Sequence, residues 1–249
     1  MSARFYADIA LAAGQTVSLP EQTARHVQVL RLQPGEHITL FNGRGDTEGE
    51  FNATIERMGR SDVDAVIGAF TATQREAARV IHLVVSMPAN DRMDWLVEKA
   101  TELGAASIQP VMSERSVLRL KVERAAKKVV HWRGIAIAAS EQCGRNRLMW
   151  VHEVVALPDW LKTAAALNAN AGPRLLLSLR ESSCTIRQAL ARLDTASALT
   201  FLSGPEGGLS AAEEAAAVAC GFNPVTLGLR VLRAETAPLA VLAAGLCFK

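Results

Sequence analysis

The stretch LSGPEGGLSAAE, residues 202–213, sets a glycine-rich turn between an apolar run and an alanine-rich one. Ser210 and Glu213 have the spacing of a capping box, in which hydroxyl and carboxylate each satisfy a free backbone N–H in the first turn of a helix. The stretch therefore reads as strand, loop and helix start, and the loops at strand ends are where open α/β sheets bind ligands. Gly204, Gly207 and Gly208 let a backbone come close to a ligand, and Pro205 stiffens the turn. On these residues alone a plain tight connection and a ligand loop are equal readings.

A second stretch, TLGLRVLRAETAPL at 226–239, repeats the plan. It follows a strand, places Gly228 directly after it and puts Pro238 where the first turn of a helix tolerates it. Arg230, Arg233 and Glu235 stand in this otherwise apolar segment. Two such loops are able to clamp a small adenosine-like ligand through backbone groups. Two readings stay open here: the arginines as surface charges with Glu235 as a carboxylate favoured by the helix dipole, or all three as site groups.

Working outward, VIHLVVSMP at 80–88 is a continuous apolar run, as in a strand covered on both faces. A helix follows, capped by Asn90 or Asp91, with Met93, Leu96, Val97, Ala100 and Leu103 at helical spacing and Gly104 as its stop. Then come strand SIQPVMS, a long helix through KVERAAKKVVHWRGIAIAASEQC, strand RLLLSL, a short helix at TIRQALARL, strand ALTFLS, a helix from Ser210, strand PVTLG and a last helix. Strands alternating with helices predict a mainly parallel sheet. Before residue 72 the style differs: HITLFNG and GEFNATIERM flank NGRGDTEG, whose Asn42-Gly43 signals a hairpin. Domains are expected at 1–72, β-rich, and 73–249, α/β.

Composition narrows the chemistry. The 249 residues carry 27 Lys+Arg against 25 Asp+Glu, a net charge of +2, so any nucleic-acid site must be local. The four cysteines, Cys143, Cys184, Cys220 and Cys247, form no C-x-x-C pair, and a reducing compartment is expected. The five histidines show no metal-ligand spacing, and His82, in an apolar strand, reads as a hydrogen-bonded core residue; no metal is expected. MSARFYADIALAAGQ lacks the charged head and apolar run of a secretory signal, and no stretch suggests a membrane span. P-loop, dinucleotide and nucleophile-elbow motifs are absent.

LSGPEGGLS and LGLRVLRAETA, together with EKATELGA, ERSV, EQCGRN and RHVQVLRLQPGEHITLFNGRG, resemble the bacterial RsmE family over essentially the whole chain. These are SPOUT-class methyltransferases acting on uridine N3 of 16S ribosomal RNA. Departures are mild, such as valine in RVLR where isoleucine is frequent.

The resemblance implies an α/β protein with an N-terminal PUA-like β-barrel and a C-terminal SPOUT domain whose tail forms a trefoil knot. Both loops would hold S-adenosylmethionine (SAM). Leu202, Ser203, Gly204, Pro205, Glu206 and Gly207 would lie on one side, Leu227, Gly228 and Leu232 on the other, and Leu177 and Ser178 would complete the pocket. A homodimer through the knot, acting in the cytoplasm on the small ribosomal subunit, is expected. Arg25, His26 and Arg31 would face RNA, as would Arg115, Gln142, Arg145 and Asn146; the segment ARHVQVLRL reads equally as an amphipathic helix with solvated basic residues. Arg233, then Arg230, would stabilise negative charge on the target base, with Glu235 as a candidate base. The competing expectations are ribose 2′-hydroxyl or tRNA methylation on the same fold, or a non-catalytic RNA-binding assembly factor.

Overall fold

The computed structural model describes residues 2–43, 49–89, 91–166, 172–194 and 197–247. Two compact units result: residues 1–76 with 140–148, and residues 77–139 with 149–249.

The first unit contains β1 (Ala3–Tyr6), β2 (Thr16–Ser18), α1 (Glu21–Val29), β3 (His37–Phe41), β4 (Gly49–Met58) and β5 (Val63–Ala72). Its sheet runs β1-β3-β4-β5-β2, with β1 parallel to β3 and the other pairs antiparallel. Among the described residues β1 and β2 share no ladder. Phe5 of β1, Leu19 beyond β2 and Ala24 and Val27 of α1 meet in one core with Ile38, Ile55 and Ile67, so helix and side chains fill the gap between the end strands. The β3–β4 hairpin is present, though residues 44–48 of its turn lie outside the described residues.

Residues 140–148, which the sequence reading set beyond the boundary, are held here by charge. Arg145 is 4% exposed and grips Glu76 with Nε and Nη2 at 3.0 and 2.6 Å. Asn146 accepts from Arg4 Nη2 at 2.9 Å and donates to the Thr73 carbonyl. Arg4 and Arg75 both pair with Glu50.

The second unit is built on β6 (Ile81–Ser86), α2 (Arg92–Glu102), β7 (Ser107–Met112), α3 (Val122–Cys143), β8 (Trp150–Val151), β9 (Val155–Ala156) and α4 (Leu157–Ala166). Then follow β10 (Arg174–Leu177), β11 (Cys184–Thr185), α5 (Ile186–Leu190), β12 (Leu199–Ser203), α6 (Ala211–Ala219), β13 (Phe222–Thr226) and α7 (Thr236–Leu242), with a π-helical turn at Ala243–Cys247. The last turn of α3, from Ser140, packs with the first unit. All strand pairs are parallel, in the order β11-β13-β10-β12-β6-β7-β8, with β9 also on β7.

Alternation assigns each strand residue to one of two cores. Leu83, Val85, Leu175 and Phe201 pack with Leu96 of α2, Trp132 of α3 and Val241 of α7, whereas Val84, Leu176 and Leu202 pack with Leu161 of α4 and Ala217 of α6. Burial of both sheet faces is what makes these strands apolar throughout. His82 is bonded to Ser107 Oγ at 2.7 Å, and burial lowers its pKa. Asn90 lies outside the described residues, and Asp91 precedes α2 without a side-chain cap bond. Among the described residues no helix is long and apolar enough to cross a membrane.

Candidate functional site

Strands β10, β12 and β13 are neighbours and point the same way, so the loops at their carboxyl ends converge. After β13 the chain runs past the end of β10 to reach α7, which packs on α2 and against β12 and β6. A cavity of about 530 Å³ lies where these loops meet. It is of a size for a nucleoside-like ligand.

The loop after β12 is shaped by its own backbone. Gly208 N–H donates to the Pro205 carbonyl at 2.8 Å, closing a turn, and Ser210 N–H and Glu213 N–H exchange bonds with each other's side chains at 2.9 and 3.3 Å. The expected capping box thus fixes where loop ends and α6 begins. A Cβ on Gly204 would fall 2.8 Å from the backbone nitrogen of Leu209, so this turn closes only around glycine. The loop after β13 turns at Gly228, whose φ of 109° is one that other residues rarely adopt. Thr226 Oγ1 accepts from Gly228 N–H at 3.3 Å and donates to the Gly228 carbonyl at 3.2 Å.

Leu177, Ser178, Ser203, Gly204, Pro205, Glu206, Gly207, Leu227, Gly228 and Leu232 all line the cavity, as do Arg230 and Arg233. Leu202 does not. It follows the period-two alternation into the core on the other side of the sheet, fully buried beside Val84 and Leu176. Glu235 is also displaced from the cavity: 8% exposed, it has Oε1 3.9 Å from Arg92 Nε, and its Oε2 has no hydrogen-bond partner. Arg92 is also bonded to Glu206 Oε1 at 3.1 Å, which accepts from Ala89 N–H as well.

Arg115, expected on RNA, lines the cavity. Its Nη1 donates to the Gly207 carbonyl at 3.0 Å. Glu214, which the sequence reading missed, lines the wall with Leu179 and Thr226; it accepts from Ser178 Oγ at 3.4 Å and pairs with Arg180. Its place one residue past the capping glutamate, in the first turn of a helix beginning at the loop, was the available signal. Arg230 and Arg233 are exposed, and among the described residues neither guanidinium has an acidic or hydrogen-bonding partner. Ser203 Oγ is buried at the cavity wall and likewise unpartnered. The cavity thus joins an apolar lining to one unsatisfied hydroxyl and two guanidinium groups without partners among the described residues.

The other expected RNA residues belong to the first unit. Arg25 and Arg31 are exposed on and just after α1, and His26 Nδ1 is 3.3 Å from Glu141 Oε2. Gln142 is exposed at the end of α3. Arg145 and Asn146 are not free to meet RNA or the cavity, because the network with Glu76, Arg4 and Thr73 buries them.

The RNA methyltransferase domain pattern matches residues 75–245, and the RNA methyltransferase PUA domain pattern matches residues 19–68. Ribosomal RNA small subunit methyltransferase E of Bacillus subtilis is 30% identical over 240 residues, covering 92% of this chain and 89% of the relative. The chain belongs to this family. Its fold agrees: the family's enzyme from Neisseria gonorrhoeae, solved bound to SAM, superposes with a TM-score of 0.88 at 38% identity, covering 98% of this chain and 96% of that one. A Legionella pneumophila structure in complex with the cofactor SAM gives a TM-score of 0.89 at 34% identity over the same shares. Family membership makes the first unit a PUA-like domain and the second a SPOUT methyltransferase domain.

Proposed function

We propose that the protein transfers the methyl group of SAM to N3 of a uridine in the 16S RNA of the small ribosomal subunit. The observation that carries this reading is a nucleoside-sized cavity at three parallel strand ends with two unpaired arginines on its wall. The residues fit the cofactor. The tight turn that Gly204 permits, with its backbone on the cavity wall, and the unpartnered Ser203 hydroxyl suit a flat ligand held close to the backbone. Leu177, Leu227 and Leu232 would take its apolar ring face, with the backbone of Gly204–Gly207 along its edge. Bound there, SAM supplies an electrophilic methyl group.

The protein's part is to place the nucleophile in line with that methyl and exclude water. In the reaction an N3–C bond forms, the S–C bond breaks to leave a neutral thioether, and the N3 proton is lost to water. Arg233 holds the negative charge that spreads onto O2 and O4 of the uridine, with Arg230 beside it. Glu235 is turned to Arg92 and does not line the cavity, so the stabilisation of negative charge falls to these cations. N3 lies on the pairing edge, so the uridine is unpaired when it enters.

The reading includes a knot, for which the return of the chain from β13 past β10 to α7 is the supporting feature. It also includes a homodimer acting in the cytoplasm. Leu179, Leu229 and Val231, exposed by 71%, 106% and 76%, give the knot region an apolar rim for a second copy. Arg25, His26 and Arg31 carry RNA contact on the PUA-like unit.

Calorimetric titration with SAM tests the reading. The wild-type protein is expected to bind, and Gly207→Arg, folded by circular dichroism, to lose binding because its side chain enters the cavity. Unchanged affinity in that variant would move the cofactor elsewhere.

A further inference from the structure

We propose that the basic face of α3 binds the phosphate backbone of the RNA substrate, a second RNA surface on the catalytic unit; this rests on the RNA methyltransferase reading above. From the cavity rim at Arg115 the chain continues through Arg119 to Lys121, Arg124, Lys127, Lys128 and His131. Lys121 lies on the helical spiral, because its carbonyl accepts from Ala125 N–H at 2.9 Å. At 3.6 residues per turn the five positions from Lys121 to His131 fall within about 120° of the circumference and extend for about 15 Å, long enough for several successive phosphates. The inward stripe of the helix, Ala125, Val129, Trp132 and Ala136, is separate and buried.

Three of the five groups on this face are not neutralised by the protein. Lys128 and His131 share Asp94 of α2, at 3.9 and 2.9 Å. Lys121, Arg124 and Lys127 are exposed, and among the described residues their side-chain cations have no acidic or hydrogen-bonding partner. Glu123 sits about 100° round the helix from the centre of the stripe. Lys121 and Arg124 also stand at the amino end of the helix, where free N–H groups repel cations and attract anions. The same turn carries one acid, Glu123, which suits those N–H groups, whereas the two cations beside it do not. With a net charge of only +2 on the chain, such a concentration is local, and its complement is a polyanion.

The test is the triple variant Lys121→Gln/Arg124→Gln/Lys127→Gln, with Glu123→Gln as the control on the same helix. Binding of a labelled short single-stranded RNA is followed by anisotropy against salt, SAM binding by calorimetry, and methyl transfer on small ribosomal subunits lacking the modification. Three lost phosphate contacts are expected to weaken RNA binding about tenfold or more at low salt and to make the slope of log K against log salt shallower by about 2. SAM affinity and kcat stay unchanged, KM for subunits rises, and the control variant shows no weakening. RNA affinity and salt slope equal to wild type would overturn the inference. Weaker binding to subunits with unchanged RNA affinity would overturn it too, by assigning the face to a ribosomal protein. RNA binding that depends on this face in a protein that transfers no methyl group supports the inference and removes the enzymatic reading alone.

Discussion

The guanidinium of Arg115 donates to the carbonyl oxygen of Gly207 at 3.0 Å, tying the loop after β7 to the glycine loop after β12. The side chain is exposed, so this bond contributes about 0.5–1.5 kcal/mol. Arg115→Ala is expected to raise the SAM dissociation constant by roughly 3- to 10-fold with little change in melting temperature. Calorimetry and a thermal melt check both halves.

Gly204 and Gly207 differ sharply in what a methyl group would meet. At Gly204 the first contacts are backbone atoms, Leu209 N at 2.8 Å and Gly208 C at 3.0 Å; at Gly207 the nearest is Arg115 Cβ at 3.4 Å. Gly204→Ala is therefore expected to cost about 1–3 kcal/mol of stability and most of the SAM affinity. Gly207→Ala should stay close to wild type. Urea unfolding and SAM titration of the two variants side by side would show this order.

Arg31 has a φ of 57°, directly after α1, where glycine or asparagine is the easy occupant. A non-glycine residue there costs about 1–2 kcal/mol, part of which glycine gives back as entropy of the unfolded chain. Arg31→Gly is expected to be as stable as wild type or about 1 kcal/mol more so, while RNA affinity falls several-fold. A less stable variant with full RNA affinity would make Arg31 structural.

Asp94 joins α2 to α3, accepting from Trp132 Nε1 at 2.8 Å and His131 Nε2 at 2.9 Å. Burial pushes its pKa up, but the bonds from His131 and Trp132 and the charge of Lys128 outweigh this and hold it below the usual aspartate range. Its contribution is therefore complete above about pH 4 and is lost as pH falls through the lowered pKa. Asp94→Ala strands the indole N–H of a fully buried tryptophan and is expected to cost about 1–3 kcal/mol near neutrality. In Asp94→Asn the stability gap to wild type should narrow below pH 4, as urea midpoints across pH would report.

What was legible in the sequence was local. The capping box at Ser210 and Glu213 and the helix stop at Gly104 depend on residues within a few positions, and the apolar strands report burial on both faces. Hence the two loops were readable, and ten of the eleven residues expected on the cofactor line the cavity, whereas Leu202 lies one residue too far into the strand and faces the core. Helix α4 was overlooked although Pro158 in its first turn is a start signal. The fates of Arg145 and Asn146 could not be read locally, because Arg145 finds Glu76 and Asn146 finds Thr73 about seventy residues away. The unpaired state of Arg230 and Arg233 is likewise a property of the folded surface alone.

The most direct measurement is the identity of the methylated nucleoside. Protein is incubated with methyl-labelled SAM and small ribosomal subunits lacking the modification, and the RNA is digested and resolved, with Arg233→Ala as the matched sample. The account predicts label in 3-methyluridine with the wild-type protein, and almost none with Arg233→Ala at unchanged SAM affinity. Label in a 2′-O-methylated nucleoside, or wild-type turnover by Arg233→Ala, would contradict it.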